Sequence, residues 1–397
     1  MAGTRRRDLG DPTTGIRSDL ASDYAVPGLD EALAMHDVKY LKVRRHGKLI
    51  LDLKINDDII IIPSGVDNDL PVYISEIQTW KGKIKAIKKQ RESKERWLIV
   101  AWYYSPSEFQ GLNAPDSKQN DFGSKELVFV STHLDVIHWE TVDGQAPIAM
   151  FEEEDIELDE IPESYFYCRG VWDDRKEKWL KKRPAATCIC RHRYKLHEDG
   201  LMHFCPRPYC HKWYHADCLE QHKWIDADLT EIEIELQWEM SLDIDEKHST
   251  LAESIPHAPL RNMTVHGRAP DPYSFIPDDL LKLARQPIIR GGDYGAIGNA
   301  AVVLRARVIV DRVARHGEEL LDDWREHVWL REKTTEVPGS NPNDAAKVKN
   351  ALLNAGGGEH FTAGGNKIPR HSVPDFWHRI KDGFEVSYKC PGCGNVI

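Results

Sequence analysis

Between about 48 and 150 the chain runs through short segments rich in β-branched and aromatic residues. Leu49–Leu53, Asp58–Pro63, Val72–Ile77, Trp97–Tyr104, Glu126–Val130 and Val136–Trp139 are each of strand length, with turn or charged residues between them. Many short strands in succession predict a compact β-barrel or sandwich. From 219 to 389 the pattern changes period. Pro277 to Ala284 opens with proline and two acids, a helix start. Val302, Ala306, Ile309, Val313, Leu320, Trp324 and Val328 recur every three, four or seven residues. They predict the apolar stripe of a long helix, with a break near Gly317. Shorter helices are expected at Asn343–Asn354 and Val373–Lys381, stopped by Gly356 and Gly383. Residues 1–35 are polar and read as a flexible arm.

At 397 residues the chain has room for two or three domains. No N-terminal apolar segment resembles a signal peptide, and Ile59–Ile62 is far too short to cross a bilayer, so no membrane association is expected. A net charge of -11 leaves direct DNA binding at most weak. The charge is uneven. Glu152–Glu160 is acidic, while Lys81–Arg96 and Arg175–Arg183 are basic. Such runs are usually solvated faces; the acidic one could instead meet a basic ligand. Lys181–Pro184 has the composition of a nuclear import signal. The glycine-rich patches at 291–292, 356–358 and 364–365 fit no phosphate-binding loop, and no nucleophile–base constellation is present, so no enzyme is expected.

Seven of the eight cysteines and one histidine carry the chemistry. Cys188, Cys190, Cys205, Cys210, His215 and Cys218 follow the spacing C-x-C-x14-C-x4-C-x4-H-x2-C, and Cys390 and Cys393 add C-x2-C after a gap of 171 residues. Four short pairs of soft ligands suit two tetrahedral zinc ions. Cysteines spent on metal suit a reducing compartment, the cytosol or nucleus. Cys168 stands apart and reads as a buried thiol. Two unrelated metal sites, or a zinc ribbon on Cys390 and Cys393, would use the same residues.

With histidine fifth among the ligands, the spacing resembles a PHD finger; a RING finger usually has it fourth. Trp213, two residues before His215, and Tyr388, two before Cys390, also match that family. The resemblance implies interleaved pairs: Cys188, Cys190, His215 and Cys218 on one zinc, and Cys205, Cys210, Cys390 and Cys393 on the other. It also implies a second cage, for methylated lysine 4 of histone H3, with Trp213 as main wall and Met202 beside it. Asp199 stands where the usual further aromatic is found, and Tyr194 is a substitute for it. A carboxylate there favours a lower methylation state, because it hydrogen-bonds a remaining N–H.

The β-rich part resembles a BAH domain. The motifs are Val72–Ile77 after an Asp-Ile-Ile-Ile strand, Ala101-Trp-Tyr-Tyr-Ser-Pro106, Lys125–Val136 with its Glu-Leu-Val-Phe-Val-Ser core, and Phe166-Tyr-Cys168 with Trp172. A BAH domain followed by a PHD finger is similar to the plant and fungal BAH–PHD proteins of Polycomb-type silencing, whose BAH domain binds trimethylated lysine 27 of histone H3. The resemblance covers about half of the chain and implies a methyl-lysine cage of Tyr73, Trp102 and Tyr104, with His133 and Asp135 fixing the peptide. The chemistry is independent of the family. A trimethylammonium donates no hydrogen bond and is held by aromatic faces. Trp102 and Tyr104, two apart in a strand, share one side. Strand aromatics are otherwise usually core.

The expected fold is multidomain α+β: an arm over 1–35, a BAH barrel over 36–184, a two-zinc cross-braced PHD finger over 185–218 and 387–397, and a helical insertion over 219–386. The expected function is a nuclear chromatin reader of the histone H3 tail on the nucleosome, working with repressor-complex proteins. A zinc-finger ubiquitin ligase and a chromatin scaffold that reads no methyl-lysine are the alternatives.

Overall fold

The computed structural model describes residues 26–45, 48–62, 79–91, 95–112, 114, 122–207, 209–225, 249–260, 272–329, 360–361, 367–368 and 388–397. These fall into two compact units. One holds the described residues of Met1–Glu152, Pro162–Pro184 and His360–Ile368; the other holds those of Glu153–Ile161, Ala185–Glu359 and Pro369–Ile397. The chain is mixed α+β.

Strands of the first unit are β1 (His36–Val38), β2 (Tyr40–Arg45), β3 (Lys48–Lys54), β4 (Asp58–Ile61), β5 (Trp80–Lys89), β6 (Arg96–Tyr104), β7 (Glu126–His138), β8 (Val142–Gln145), β9 (Ile148–Met150), β10 (Phe166–Asp173) and β11 (Lys178–Lys181). Nine of them make one sheet in the order β11-β10-β7-β6-β5-β4-β8, with β1 on β5 and β9 on β10. Its two ends do not pair, so among the described residues the expected barrel is an open sheet. β2 and β3 form a separate hairpin. Leu53 of that hairpin and Ile59, Ile61, Ile84, Ile87, Leu98, Val100, Trp102 and Ile137 of the large sheet share one buried cluster. Each such side chain contributes roughly 1.5–3 kcal/mol on leaving water.

Three features depart from the sequence reading. The lysine-rich stretch read as solvated surface is the long strand β5. Ile84 and Ile87 are fully buried from it, on opposite sides of a bulge between Ile84 and Ala86 that breaks the alternation. Its lysines are also used: Lys88 Nζ donates to Leu33 O at 3.0 Å and pairs with Asp37 at 2.8 Å. Glu126–Val130 and Val136–Trp139, read as two strands, largely belong to the single strand β7. A bulge there takes the pairing from Ala101↔Leu134 to Trp102↔Val130, leaving Ser131, Thr132 and His133 outside the ladder with β6. Within the predicted arm, Leu29–Ala34 is a helix whose Ala32 packs in a cluster with Trp97, Ile99 and Val136. Residues 1–25 lie outside the described residues.

β6 ends where Ser105-Pro106 opens the helix Pro106–Gln110. Ser105 Oγ accepts from Glu108 N–H and the Glu108 carboxylate accepts from Ser105 N–H, a capping box with proline in the first turn. β7 and β10 run parallel, which brings Glu126 against Arg169 at 2.8 Å; Arg183 joins at 2.8 Å, and Glu126 and Arg169 are fully buried. Cys168 is buried too, and burial pushes its thiol up to about 12.

In the second unit β12 (Met202–Cys205), β13 (Lys212–His215) and β14 (Ile289–Arg290) form a three-stranded sheet in the order β13-β12-β14. The predicted stripe is divided. Ala300–Ala314 is one helix, Gly317 follows in the left-handed region at φ +68°, and Trp324–Trp329 is another. They pack with Asp278–Ala284 around Leu280, Leu283, Ala306, Ile309, Val310, Val313, Trp324 and Val328. Pro277 is the N-cap of the helix Asp278–Ala284, which starts one residue later than expected. The helices expected at 343–354 and 373–381 lie outside the described residues, with Gly356 and Gly383.

Candidate metal centres and aromatic clusters

The ligand candidates gather into two groups. Cys188, Cys190, His215 and Cys218 form one and Cys205, Cys210, Cys390 and Cys393 the other; within each group the ligand atoms all lie within 4.8 Å of one another. The strands explain the arrangement. β13 ends at His215 and leads into the helix Ala216–Gln221, which carries Cys218. β12 ends at Cys205. The segment 388–397 returns to the same place: Lys389 N–H donates to Trp224 O at 2.8 Å, Tyr388 bridges Ile225, and Tyr388 Oη donates to Glu220 at 2.7 Å.

A tetrahedral ion holding thiolates at about 2.3 Å sets its sulfurs about 3.8 Å apart. Cys205 and Cys393 Sγ are 3.6 Å apart, Cys210 and Cys390 Sγ 3.3 Å. In the other group His215 Nδ1 lies 3.4 Å from Cys190 Sγ and 3.9 Å from Cys218 Sγ. Both groups could therefore hold a metal ion. Backbone donors face the sulfurs as thiolates require: His215 N–H on Cys188 at 3.4 Å and Gly392 N–H on Cys390 at 3.3 Å. A Cβ at Gly392 would sit 2.9 Å from Tyr214 Oη and 3.0 Å from Cys210 Sγ, so the turn between Cys390 and Cys393 has no room for a side chain.

Asp199 has a different place from the one expected. Its Oδ2 lies 3.3 Å from His215 Nε2 and accepts Lys195 N–H at 2.7 Å. Burial alone would raise its carboxyl; the hydrogen bonds from His215 and Lys195 N–H, with the charges of both residues, together outweigh this and hold it below the usual range. It is the carboxylate that orients a ligating imidazole through its second nitrogen. Asp199→Asn is expected to weaken metal retention at the His215 group by about 10–100-fold. Competition with a chromophoric chelator measures this; unchanged retention would remove Asp199 from the role.

In the first unit Trp102, Tyr104, His133 and Asp135 are linked by two hydrogen bonds and a close contact between His133 and Asp135. Trp102 Nε1 donates to Asp135 Oδ2 at 2.6 Å, His133 Nε2 lies 3.4 Å from the same oxygen, and His133 Nδ1 lies 2.6 Å from Tyr104 Oη. Burial, and then the charges of Asp174, Glu108 and Asp135, push the Tyr104 phenol far up, so the hydroxyl stays protonated beside His133. The β7 bulge makes this meeting possible, because it carries His133 out of the ladder beside Tyr104. Trp80, overlooked in the sequence, stands edge-on to Trp102 with ring centroids 5.8 Å apart. Trp102 is 3% exposed while Trp80 and Tyr104 are half-buried. Trp102 is thus also a core residue. Tyr73 lies outside the described residues.

Met202 and Trp213 lie on one face of β12 and β13, both buried, with the guanidinium of Arg290 against them and the Tyr194 ring against that guanidinium. The acidic run is spent within the chain. Glu153 pairs with Arg290 at 2.6 Å, Glu157 with Arg305, and Glu160 accepts the Ala296 and Ile297 N–H groups at 2.5 and 3.2 Å. No family model matches this chain, and no curated protein matches it.

Proposed function

We propose that the chain is a nuclear chromatin reader of the BAH–PHD kind, acting in transcriptional repression without catalysis. The first unit takes the histone H3 tail at trimethylated lysine 27, between Trp102, Tyr104 and Tyr73, with His133 and Asp135 holding the peptide. The second unit is a PHD finger built around two zinc ions and interrupted by a helical insertion. Three cysteines with a histidine, and four cysteines, at tetrahedral spacing are ligand sets that favour zinc. When bound, the ions supply crosslinks that hold the finger's short strands and its C-terminal segment together. Repressor-complex proteins are its natural partners.

The observation that carries the reading is the linked set Trp102–Asp135–His133–Tyr104, two hydrogen-bonded pairs with His133 Nε2 3.4 Å from Asp135 Oδ2. It ties two of the expected cage walls to both expected peptide-holding residues, from positions up to 33 residues apart. An aromatic wall fixed by its polar atom keeps its face in place for a cation. The burial of Trp102 favours one second reading, a scaffold that uses this unit to bind a protein without reading methyl-lysine. A histone-peptide array separates the two. The reader predicts retention on peptides trimethylated at lysine 27 above their unmodified counterparts; equal or absent retention leaves the scaffold.

A further inference from the structure

We infer that the aromatic pocket of the finger is a site for a cationic side chain whose ligand is built into the chain: Arg290, delivered by the insertion as an added strand. The inference rests on the PHD reading of the finger for the nature of the pocket. For the occupant it rests on contacts within the second unit.

β14 adds to the free edge of β12 in antiparallel register, Met202↔Arg290 and His203↔Ile289, and Phe204 N–H continues the ladder to Ile288 O at 2.9 Å. Strand addition at a sheet edge is a standard way to bind an extended peptide, with main-chain bonds giving affinity and alternate side chains entering pockets. Alternation places Met202, Phe204, Trp213, His215 and Arg290 on one face of this sheet, with Cys205 and Tyr214 on the other. There the Arg290 guanidinium lies 4.0 Å from the centroid of the Tyr194 ring and 4.2 Å from that of Trp213, both in the range of cation–π attraction. Its Nη2 donates to Glu153 Oε1 at 2.6 Å and lies 3.5 Å from Met202 Sδ. Tyr194, Met202 and Trp213 are the residues expected to form the finger's own cage. A cation between aromatic faces with a carboxylate alongside is what such a cage selects, and here an arginine fills it.

The occupant is held in place from both sides. Gly291 adopts φ +83°, and a Cβ there would sit 2.3 Å from Gly200 O, so only glycine lets the chain turn away directly after Arg290. Asn299 clasps the segment that precedes Arg290: its Oδ1 accepts Ile289 N–H at 2.7 Å and its Nδ2 donates to Pro287 O at 3.0 Å. The Tyr194 hydroxyl donates to Ala296 O at 3.2 Å, fixing one wall to the loop that follows it. A tethered ligand competes at high effective concentration with any free peptide. The wild-type finger is therefore closed to methyl-lysine, and the glycine pair 291–292 serves the turn that closes it.

The test uses the full-length chain with zinc retained, and as probe an N-terminal histone H3 peptide with or without trimethylated lysine 4. Arg290→Ala is expected to bind the methylated peptide at least about tenfold more tightly than wild type, the gain expected when a pocket closed in about nine molecules of ten is freed. Gly291→Ala, which leaves the arginine but disturbs its delivery, is expected to gain in the same direction. Wild type binding as tightly as Arg290→Ala, or folded variants showing no gain, would overturn the inference. If the variants lose their fold, the wild-type protein decides by NMR. Arg290 side-chain protons shifted upfield by the two rings, and unmoved by added peptide, support closure; random-coil shifts, or shifts that move on titration, overturn it. A lysine 27 peptide tested on the same samples reports on the other unit, so failure of the reader proposal registers there and leaves the Arg290 resonances to be judged separately.

Discussion

Replacing Cys390 and Cys393 together with serine is expected to release one of two metal ions per chain and to unfold the sheet of β12 and β13, although 171 residues separate Cys218 from Cys390. The C-terminal pair meets Cys205 and Cys210 at 3.3–3.6 Å, and the segment around it is tied to Trp224, Glu220 and Arg207, whose Nη1 donates to Val396 O at 2.9 Å. Hydrogen bonds of this kind are worth about 1 kcal/mol each. A structural zinc site has an apparent binding energy of about 10–16 kcal/mol, so a bound zinc ion would dominate what holds the C-terminal segment to β12 and β13. Loop closure costs rise only logarithmically with length, which makes so long an excursion tolerable when part of it packs its own core, as the helices around Leu280 and Ile309 do. Elemental analysis with a thermal melt checks the result. A double variant that keeps two ions and wild-type melting would show that the C-terminal pair belongs to something else.

Glu126→Ala is expected to cost about 3–5 kcal/mol, among the largest effects of any single substitution in the first unit. The carboxylate receives Arg169 Nε and Nη2 at 2.9 and 2.8 Å, Arg183 Nε at 2.8 Å and Gly123 N–H at 3.2 Å. Removing it leaves two buried guanidinium groups without their counter-ion. Glu126→Gln keeps the shape but loses the charge and should fall between alanine and wild type. The pH dependence follows the same logic. Burial would raise this carboxyl, but Arg169 and then Arg183 outweigh it and hold it below the usual range. A depressed carboxyl stabilises the fold above the unfolded value of about 4.3 and loses that contribution as pH falls through the folded value. Urea denaturation at neutral and acid pH measures both. A Glu126→Gln variant as stable as wild type at neutral pH would contradict the account.

The metal groups were legible because ligand chemistry imposes short spacings that survive in one dimension. The interleaved pairing was legible only through the resemblance; the structure brings the same eight residues into the same two groups. Strand runs such as Asp58–Ile61 and Arg96–Tyr104 were legible because their burial on the sheet demands β-branched and aromatic residues. β5 was not, since lysine stems can line a sheet while their ammonium groups find carbonyls, carboxylates or ring faces, as Lys81 does over Phe166 at 4.3 Å. The acidic run reads in the sequence as a solvated face, or else a surface for a basic ligand, because its arginine partners, Arg290 and Arg305, lie more than a hundred residues away. Asp199 was assigned to the cage on position alone, where a hydrogen bond to His215 Nε2 decides its role. Trp80 carried no signal beyond being a tryptophan at a strand end, and its contact with Trp102 depends on strand order.

The buried position of Trp102 also changes which variants are informative. Trp102→Ala would empty a core site among Ile61, Val100 and Val142 and cost about 3–5 kcal/mol. A loss of binding in that variant would not separate cage from core. Tyr104, half-buried and at the strand end, and Tyr73 are the better probes.

Calorimetry with histone H3 peptides spanning lysine 27 decides whether the first unit reads a trimethylated lysine by aromatic faces, as proposed. Each aromatic contact with the cation is worth roughly 0.5–2 kcal/mol. The account therefore predicts that wild-type protein binds the trimethylated peptide about tenfold or more tightly than the unmodified one, and that Tyr104→Ala and Tyr73→Ala, each confirmed folded by its melt, reduce this difference. Equal affinity of wild-type protein for the two peptides would contradict it.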